Sequence, residues 1–560
     1  MTTMTGKRAF LELLKQEGVD VLFGNPGTTE LPLMDALAVD TDIRYILGLQ
    51  EAVVMGMADG YAQASGKLAV VNLHVAPGLG NAMGMLYDAQ KAASPILVTA
   101  GQHEQSFNVT EPILWADLPT MARPLVKWAT EVHRLADLPR IVHRAAKTAL
   151  AHPTGPVFLS LPGDILNDEG EVDLLAPSRV APRIRADRDA IEAAADLLVR
   201  AERPVLVAGD AVAQSRAHDE LAELAELLGA PVYLEGVAST ASFPTSHPLC
   251  RGGMGRLAPG LNKLLGHYDT MFSVGGDLFT LSLPSEVEPI PEGLTTIHLD
   301  LDPWELGKNY PAAVAMLGDP KATLPEITEA VRRRLDDGRR ASMESRGAEM
   351  KAKIAADREA LAARARADAG KSPVQALSLL EAIGRILPKD AVVIEEALSS
   401  AGGIRDLIRS DDPQSFFGLR GGGIGWGLPA AVGAKVALPD RPVVAIVGDG
   451  SAMYSCQALW TAARYRLGVV FVILNNSSYR ILKQRVNALR GHAAQTGTYV
   501  GMDLEDPAIQ FQSLARSMGV ASTLARTVAE ATDQIQAAIA AGAPALVEVT
   551  LDRELGLGLG

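Results

Sequence analysis

The chain has 560 residues, 48% of them hydrophobic and 21% charged, with a formal net charge of −14. That length predicts about three domains, the composition fits a soluble globular protein, and the negative charge argues against nucleic acid or an acidic membrane surface as a partner. Cys250 and Cys456 stand far apart without a CxxC pattern; no disulfide framework or zinc site is implied, and a reducing cytoplasm fits.

The opening, MTTMTGKRAFLELLKQEG, carries an amphipathic helical pattern and not the basic and apolar regions of a secretory signal. The uncharged stretch Leu68 to Tyr87 contains His74, Pro77, glycines and asparagines, which makes it a poor membrane span. Residues 1–180 alternate helix and strand. Ala9 to Gln16 reads as helix, Val19 to Phe23 as strand, Gly24 to Thr29 as a turn, and Ile43 to Leu49 as strand. Glu51 opens a helix, and Lys67 to Leu73 is a strand that ends on His74. VAPGLGNAMG then reads as a glycine-rich loop, and Pro95 to Ala100 and Pro156 to Leu161 as further strands. Repeated strand-then-helix units predict a doubly wound parallel sheet. The glycine loop misses the GxGxxG spacing by one position and lacks the acidic residue that dinucleotide binding requires, so NAD is excluded.

Pro177 to Pro182 is a plausible boundary. Residues 183–335 form a second α/β unit, with strands expected at Val205 to Ala208, Val232 to Leu234, Thr270 to Val274 and Thr296 to Leu301. It is expected to be structural, without a bound nucleotide. Residues 336–371, rich in Arg, Glu and Ala, predict a solvated helix linking to a third α/β unit at 372–560. The tail GLGLG is expected to be disordered.

The chemistry concentrates between Pro442 and Tyr479. Val443 to Val447 is a buried strand followed by Gly448-Asp449-Gly450; Ser451 to Arg466 can run as helix; Val469 to Leu474 is a second strand ending on Asn475-Asn476. Asp449 and Asn476 therefore reach the same edge of a sheet, where ligands of open α/β folds bind. One carboxylate and one amide oxygen are too few for a full cage. They suit Mg²⁺, which completes its octahedron with phosphate and water.

GDG followed by NN resembles the metal-diphosphate signature of thiamine-diphosphate (ThDP) enzymes. FGNPGTTELP, LQEAVV, NLHVAPGLGNAMG and GGGIGWGLPAA extend the likeness over essentially the whole chain, to the ThDP-dependent decarboxylase and carboligase family. The resemblance implies three doubly wound α/β domains that bind pyrimidine (1–180), nothing assigned (183–335) and diphosphate (372–560). It implies Glu51 as the carboxylic acid on the cofactor pyrimidine, and Asp449, Asn476 and the Ser478 carbonyl as Mg²⁺ ligands. Gly448, Gly450, Ser451 and Tyr479 would border the diphosphate, and Gly423-Ile424 would place an apolar wedge between the cofactor rings. Thr28 would meet the substrate carboxylate and His74 would move protons, a role that suits its near-neutral pKa.

Three departures bear on substrate. The second active-site histidine of the family's aryl-2-oxo-acid decarboxylases would fall near Ser282, where this chain has none. Arg420 and Arg485 fall near positions that are small or aromatic in those enzymes, and arginine suits carboxylate or phosphate recognition; both are candidates for the substrate pocket or for an internal carboxylate. Leu398 stands where a diphosphate-side hydroxyl is usual, and Ser399 or Ser400, which follow, can substitute. The implied activity is Mg²⁺-dependent cleavage of a 2-oxo acid to an aldehyde. Alternatives are a carboligase forming 2-hydroxy ketones, a lyase or synthase of 2-hydroxyacyl thioesters, and a non-catalytic regulatory subunit. In the family the cofactor bridges two subunits, so a homodimer or homotetramer is expected.

Overall fold

Apolar runs of five to seven residues cannot stay in water, and here they form the centres of three sheets. A computed structural model describes residues 2–555. The tail GLGLG lies outside the described residues. The first sheet runs from edge to edge as Arg44–Leu47, Val21–Gly24, Ala69–Leu73, Ile96–Gln102, Val157–Pro162 and Ala129–Glu131. The third runs as Phe416–Gly418, Val392–Glu396, Val443–Gly448, Val469–Asn475, Ala545–Thr550 and Ala521–Ala525. All neighbours in both are parallel. Numbered in chain order within each sheet, both have strand order 2-1-3-4-6-5. Their topological switch lies between the first and third strands, the crevice where open α/β sheets bind ligands.

The middle sheet is also parallel but differs in order. Cys250–Gly253, Val232–Leu234, Pro204–Ala208, Thr270–Val274, Thr295–Asp300 and Val314–Leu317 lie side by side, which is 3-2-1-4-5-6. That is the order of dinucleotide-binding folds. The helix Asp337–Ala367 then carries the chain to the third sheet. It is largely solvated, but Met343, Gly347 and Ile354 are buried, and Gly347 packs on Gly229.

Four local expectations are corrected. Thr2–Thr5 is a strand, paired antiparallel with Glu169–Val172, and the helix begins only at Gly6. A Cβ there would lie 2.0 Å from the Ile165 carbonyl oxygen, so glycine permits the close approach. Residues 75–84 are not a loop: the helix Val75–Lys91 starts directly after His74. Pro77 is tolerated because first-turn N–H groups have no helical partner, and Gly78 faces Glu51, whose Oε1 would be in ordinary contact, 3.4 Å, with a Cβ there. Ser451 to Arg466 is not one helix but the end of Asp449–Ala452 and then Ala458–Arg464; the break lays Tyr454 against Gly425. The edge strands Cys250–Gly253 and Val314–Leu317 give no strong apolar signal and were not expected.

The first and third sheets share one core. Helix Glu51–Ser65 packs against helix Gly427–Ala437, and apolar residues from both sheets join one buried cluster. The backbones nearly touch: a Cβ on Gly60 would be 2.2 Å from the Ala430 carbonyl oxygen, and one on Gly433 1.9 Å from that of Met57. Trp426 Nε1 donates to Asp59 Oδ2 across this contact (2.6 Å). Gly433→Ala is expected to destabilise the chain by about 1–3 kcal/mol, despite alanine's better helix propensity, because the clash is with backbone. A fall in the denaturation midpoint checks this; an unchanged midpoint contradicts the packing.

Candidate active site

The switch crevice of the first sheet gathers a titratable cluster. Val21–Gly24 ends into Asn25 to Glu30, and Ala69–Leu73 ends on His74. Glu30 is fully buried. Its Oε2 meets His74 Nδ1 at 2.8 Å and accepts from the Gly27 N–H at 2.9 Å; its Oε1 accepts from the Gly101 N–H and the Thr29 hydroxyl. The hydrogen bond that His74 donates to Glu30 is the main reason that it is held above its ordinary pKa of 6.5, with burial opposing. Since Nδ1 donates to Glu30, Nε2 remains the nitrogen free to exchange a proton.

Glu51 is the first residue of its helix, almost buried, and capped by Gln50, whose side chain accepts from the Ala52 and Val53 N–H groups. Asn25 donates to Glu51 Oε1 (3.3 Å) and Asn81 to Oε2 (3.0 Å). Thr28 is exposed at the mouth of this crevice, and it is Thr29 whose hydroxyl lies 3.2 Å from His74 Nδ1.

At the carboxyl edge of the third sheet, Asp449 follows the third strand and Asn476 the fourth. Asp449 and Asn476 are both buried. Asp449 Oδ1 accepts from the Gly450 N–H, whereas Oδ2 is buried without a hydrogen-bond partner. Burial pushes the Asp449 carboxyl up to about 6. Asn476 Oδ1 accepts from the N–H and hydroxyl of Ser478. Gly450 leaves room for the Tyr479 ring, 2.6 Å from where a Cβ would be, and Gly448 and Ser451 flank the same turn. Ser399 Oγ accepts from Arg480 Nε (3.3 Å).

The loop Gly421 to Gly427 is gripped by two carboxylates that sequence reasoning missed. Asp88 accepts from the Gly423 N–H (2.9 Å). Glu396 accepts from the Gly425 N–H (2.6 Å) and the Gly427 N–H (2.5 Å). Ile424 sits between these anchors, partly exposed and outside the apolar clusters. Burial raises Asp88 to about 8 and Glu396 to about 7. The signal in sequence for Glu396 was its place at the end of an apolar strand; for Glu30 there was none beyond lying within FGNPGTTELP, and Asp88 lies outside the quoted motifs.

The two arginines part company. Arg420 follows the internal-carboxylate alternative: its Nε lies 3.0 Å from Asp210 and its Nη2 2.5 Å from Asp277, with Glu235 beside it. These acids occupy the crevice of the middle sheet, so its carboxyl edge is anionic and plugged by a side chain from the third domain. Arg485 has no carboxylate partner among the described residues and is partly exposed. Arg256 lies near it, likewise without an ion pair among the described residues. The Ser282 N–H donates to the Arg256 carbonyl (3.0 Å), so an arginine neighbours the position where a histidine was expected.

Comparison with known proteins agrees with this arrangement. Models of the thiamine pyrophosphate enzyme match as the N-terminal TPP binding domain over residues 4–115, the central domain over 191–327 and the C-terminal TPP binding domain over 401–549. The chain is 35% identical over 549 residues to a benzoylformate decarboxylase of Pseudomonas aeruginosa, covering 97% of this chain and 98% of that protein. The chain belongs to the thiamine-diphosphate enzyme family. It is also 28% identical over 491 residues to the acetolactate synthase isozyme 3 large subunit of Escherichia coli, covering 86% and 84% of the two chains. Among solved structures, the thiamine diphosphate-dependent 4-hydroxybenzoylformate decarboxylase of Rhodococcus jostii RHA1 superposes with a TM-score of 0.86 at 33% identity, covering 98% and 100% of the chains. The benzoylformate decarboxylase of Polynucleobacter necessarius gives 0.87 at 30%, covering 98% and 99%.

The residues present fit ThDP with a divalent metal. Among the described residues no three His, Cys, Asp or Glu side chains form a cage, which a metal also held by diphosphate does not need. Asp449 Oδ2 is the stronger sign: it is buried without a hydrogen bond of ordinary geometry, although the N–H groups of Gly450, Ser477, Ser478 and Asn476 surround the carboxylate and oppose the effect of its burial, and a cation would complete it. The His74–Glu30 pair stabilises the fold fully below pH 6.5 and loses that contribution as pH rises through the elevated His74 pKa. Glu30→Gln is expected to drop the His74 pKa to or below 6.5, measured by NMR titration of its ring; an unchanged value would show that Glu30 does not set it.

Proposed function

We propose that this ThDP enzyme is a lyase that decarboxylates a 2-oxo acid to an aldehyde, with Mg²⁺ as the metal. The observation that carries the reading is the first crevice, where Glu51 Oε1 and His74 Cβ each lie 3.4 Å from the Cβ position of Gly78, in a chain 35% identical to a benzoylformate decarboxylase. Asp449, Asn476 and the Ser478 carbonyl would hold Mg²⁺. The cofactor, when bound, would supply a nucleophilic carbon and a cationic thiazolium ring that serves as the electron sink for loss of carbon dioxide.

The chain's own groups do the rest. Glu51 would hold a proton at its carboxyl against the cofactor pyrimidine. Ile424, held between the Gly423 and Gly425 anchors, would support the cofactor's bent shape without having to be ordered on binding. Thr28 would orient the substrate carboxylate with its hydroxyl, and His74 Nε2 would deliver the proton that completes the aldehyde. Arg485 and Arg256 favour a second reading of substrate, a 2-oxo acid or acyl compound with a further anionic group. The likeness to acetolactate synthase leaves carboligation as the alternative fate of the same site.

Cofactor-dependent release of carbon dioxide from a panel of 2-oxo acids, aryl and dicarboxylic, tests the reading. Glu51→Gln is expected to lower turnover by about 10²–10⁴-fold while ThDP and Mg²⁺ still bind by fluorescence titration. Binding without any reaction of the panel would sink the decarboxylase assignment; near-normal turnover of the variant would sink the role of Glu51.

We further infer a homodimer or homotetramer in the cytoplasm. No hydrogen bond among the described residues joins the Glu51 cluster to the Asp449 cluster in one chain. Apolar side chains are exposed in both domains: Phe107, Val109 and Ile113 in the first, Leu398, Leu482 and Leu489 in the third. Such surface suits coverage by a second copy. Among the described residues, no helix is long and apolar enough to cross a membrane. Sedimentation of the active enzyme should give at least a dimer, and a fully active monomer would contradict the shared site.

A further inference from the structure

The middle sheet has two ends of opposite character. Its carboxyl edge, where dinucleotide folds take their ligand, is filled by Asp210, Glu235, Asp277 and Arg420. Its amino edge carries a cavity of about 550 Å³ between the strand starts and the long helix Asp337–Ala367. That volume is in the range of small-molecule sites.

The cavity is lined by Arg203, Arg251, Lys263, His267, Arg346 and Lys353, and among the described residues no Asp or Glu lines it. In a chain of net charge −14 this concentration of cations is against the overall trend. Two are partly neutralised: Arg251 pairs with Asp357 at 2.5 Å, and Arg203 lies 3.9 Å from Asp269. Arg346 is pinned by donating to the Leu228 and Glu202 carbonyls and has no ion pair among the described residues. Lys263 and Lys353 are exposed and likewise unpaired. Asp357 and Asp269 offset part of this charge; the remaining like charges repel, so the arrangement costs free energy that a bound anion would reduce.

The same cavity offers aromatic surface. Tyr233 and Tyr268 meet edge to face with centroids 6.3 Å apart and hydroxyls 3.3 Å apart. Arg251 Nε donates to the Tyr233 hydroxyl (3.3 Å), and Leu264, Met350 and Pro231 add apolar wall. Rigid guanidinium and ammonium donors beside aromatic and apolar wall suit a ligand with phosphates at one end.

We propose that this cavity is a second binding site, separate from the cofactor crevice, for a small molecule bearing two or more phosphates. Lys263 and Lys353 neutralise the phosphates, with Arg346, held on backbone carbonyls, adding only its charge, and the ligand ties the linker helix to the middle domain. The phosphates belong either to a nucleotide or to an inorganic polyphosphate.

The test is calorimetric titration of the protein saturated with ThDP and Mg²⁺, using ATP and, separately, inorganic diphosphate. One saturable site per chain is expected, weakened at least tenfold by Lys263→Glu with Lys353→Glu, two exposed lysines whose change spares the fold. The charge-matched pair Lys67→Glu with Lys389→Glu, exposed in the other two domains, is expected to leave it within twofold. ATP binding tenfold tighter than diphosphate would identify a nucleotide, and equal affinity the phosphates alone. No saturable binding, equal weakening by both double variants, or displacement by excess ThDP would overturn the proposal.

Discussion

The contact between the helices Glu51–Ser65 and Gly427–Ala437 is the constraint on which the rest depends. Residues without side chains, Gly60 and Gly433, let two backbones approach to a distance that any Cβ would forbid. The helices merge the cores of the first and third sheets, and Trp426 locks the contact by donating to a carboxylate, Asp59, buried in the opposite domain. Burial raises the pKa of Asp59, with hydrogen bonds from Ser94, Gln63 and Trp426 opposing. The catalytic candidate Glu51 begins the first of these helices, and the glycine loop carrying Ile424 leads into the second. Movement of one is therefore resisted by the packing of the other.

Carboxylates organise the loops that the helices deliver. Glu396 and Asp88 hold three backbone N–H groups of one glycine-rich segment, and Glu30 holds two more around His74. This arrangement carries a pH cost. The Glu396 carboxyl moves from 4.5 to about 7 on folding, so between those values the folded chain binds more protons and its contribution to stability declines as pH rises. His74 acts in the same direction near neutrality, because its folded pKa is raised as well.

The repeated strand-helix pattern was sufficient to foresee three parallel sheets, because buried parallel strands are continuous apolar runs such as Val443 to Val447. Turn chemistry misled where glycine served a different end. Gly78 and Gly80 looked like loop residues; they lie in a helix, and Gly78 faces Glu51. Edge strands such as Cys250–Gly253 were illegible since a strand paired on one side needs little apolar sequence. Glu30, Asp88 and Glu396 gave weak signals for the same reason: a carboxylate that bonds distant backbone N–H groups has no local pattern.

By itself the sequence determined the family, the order of the three α/β units, and the residues Glu51, His74, Asp449 and Asn476 as candidates, because those motifs are local strings at strand ends. Only the tertiary structure decided which charges remain available to a ligand. Arg420 and Arg485 were equivalent as sequence, yet the first is consumed by Asp210 and Asp277 from another domain and the second is not. The cations around Tyr233 and Tyr268 come from positions 203 to 353 and form no motif at all. The physical reason is that a charge is neutralised by whatever the fold brings within a few ångströms, and sequence distance carries no information about that.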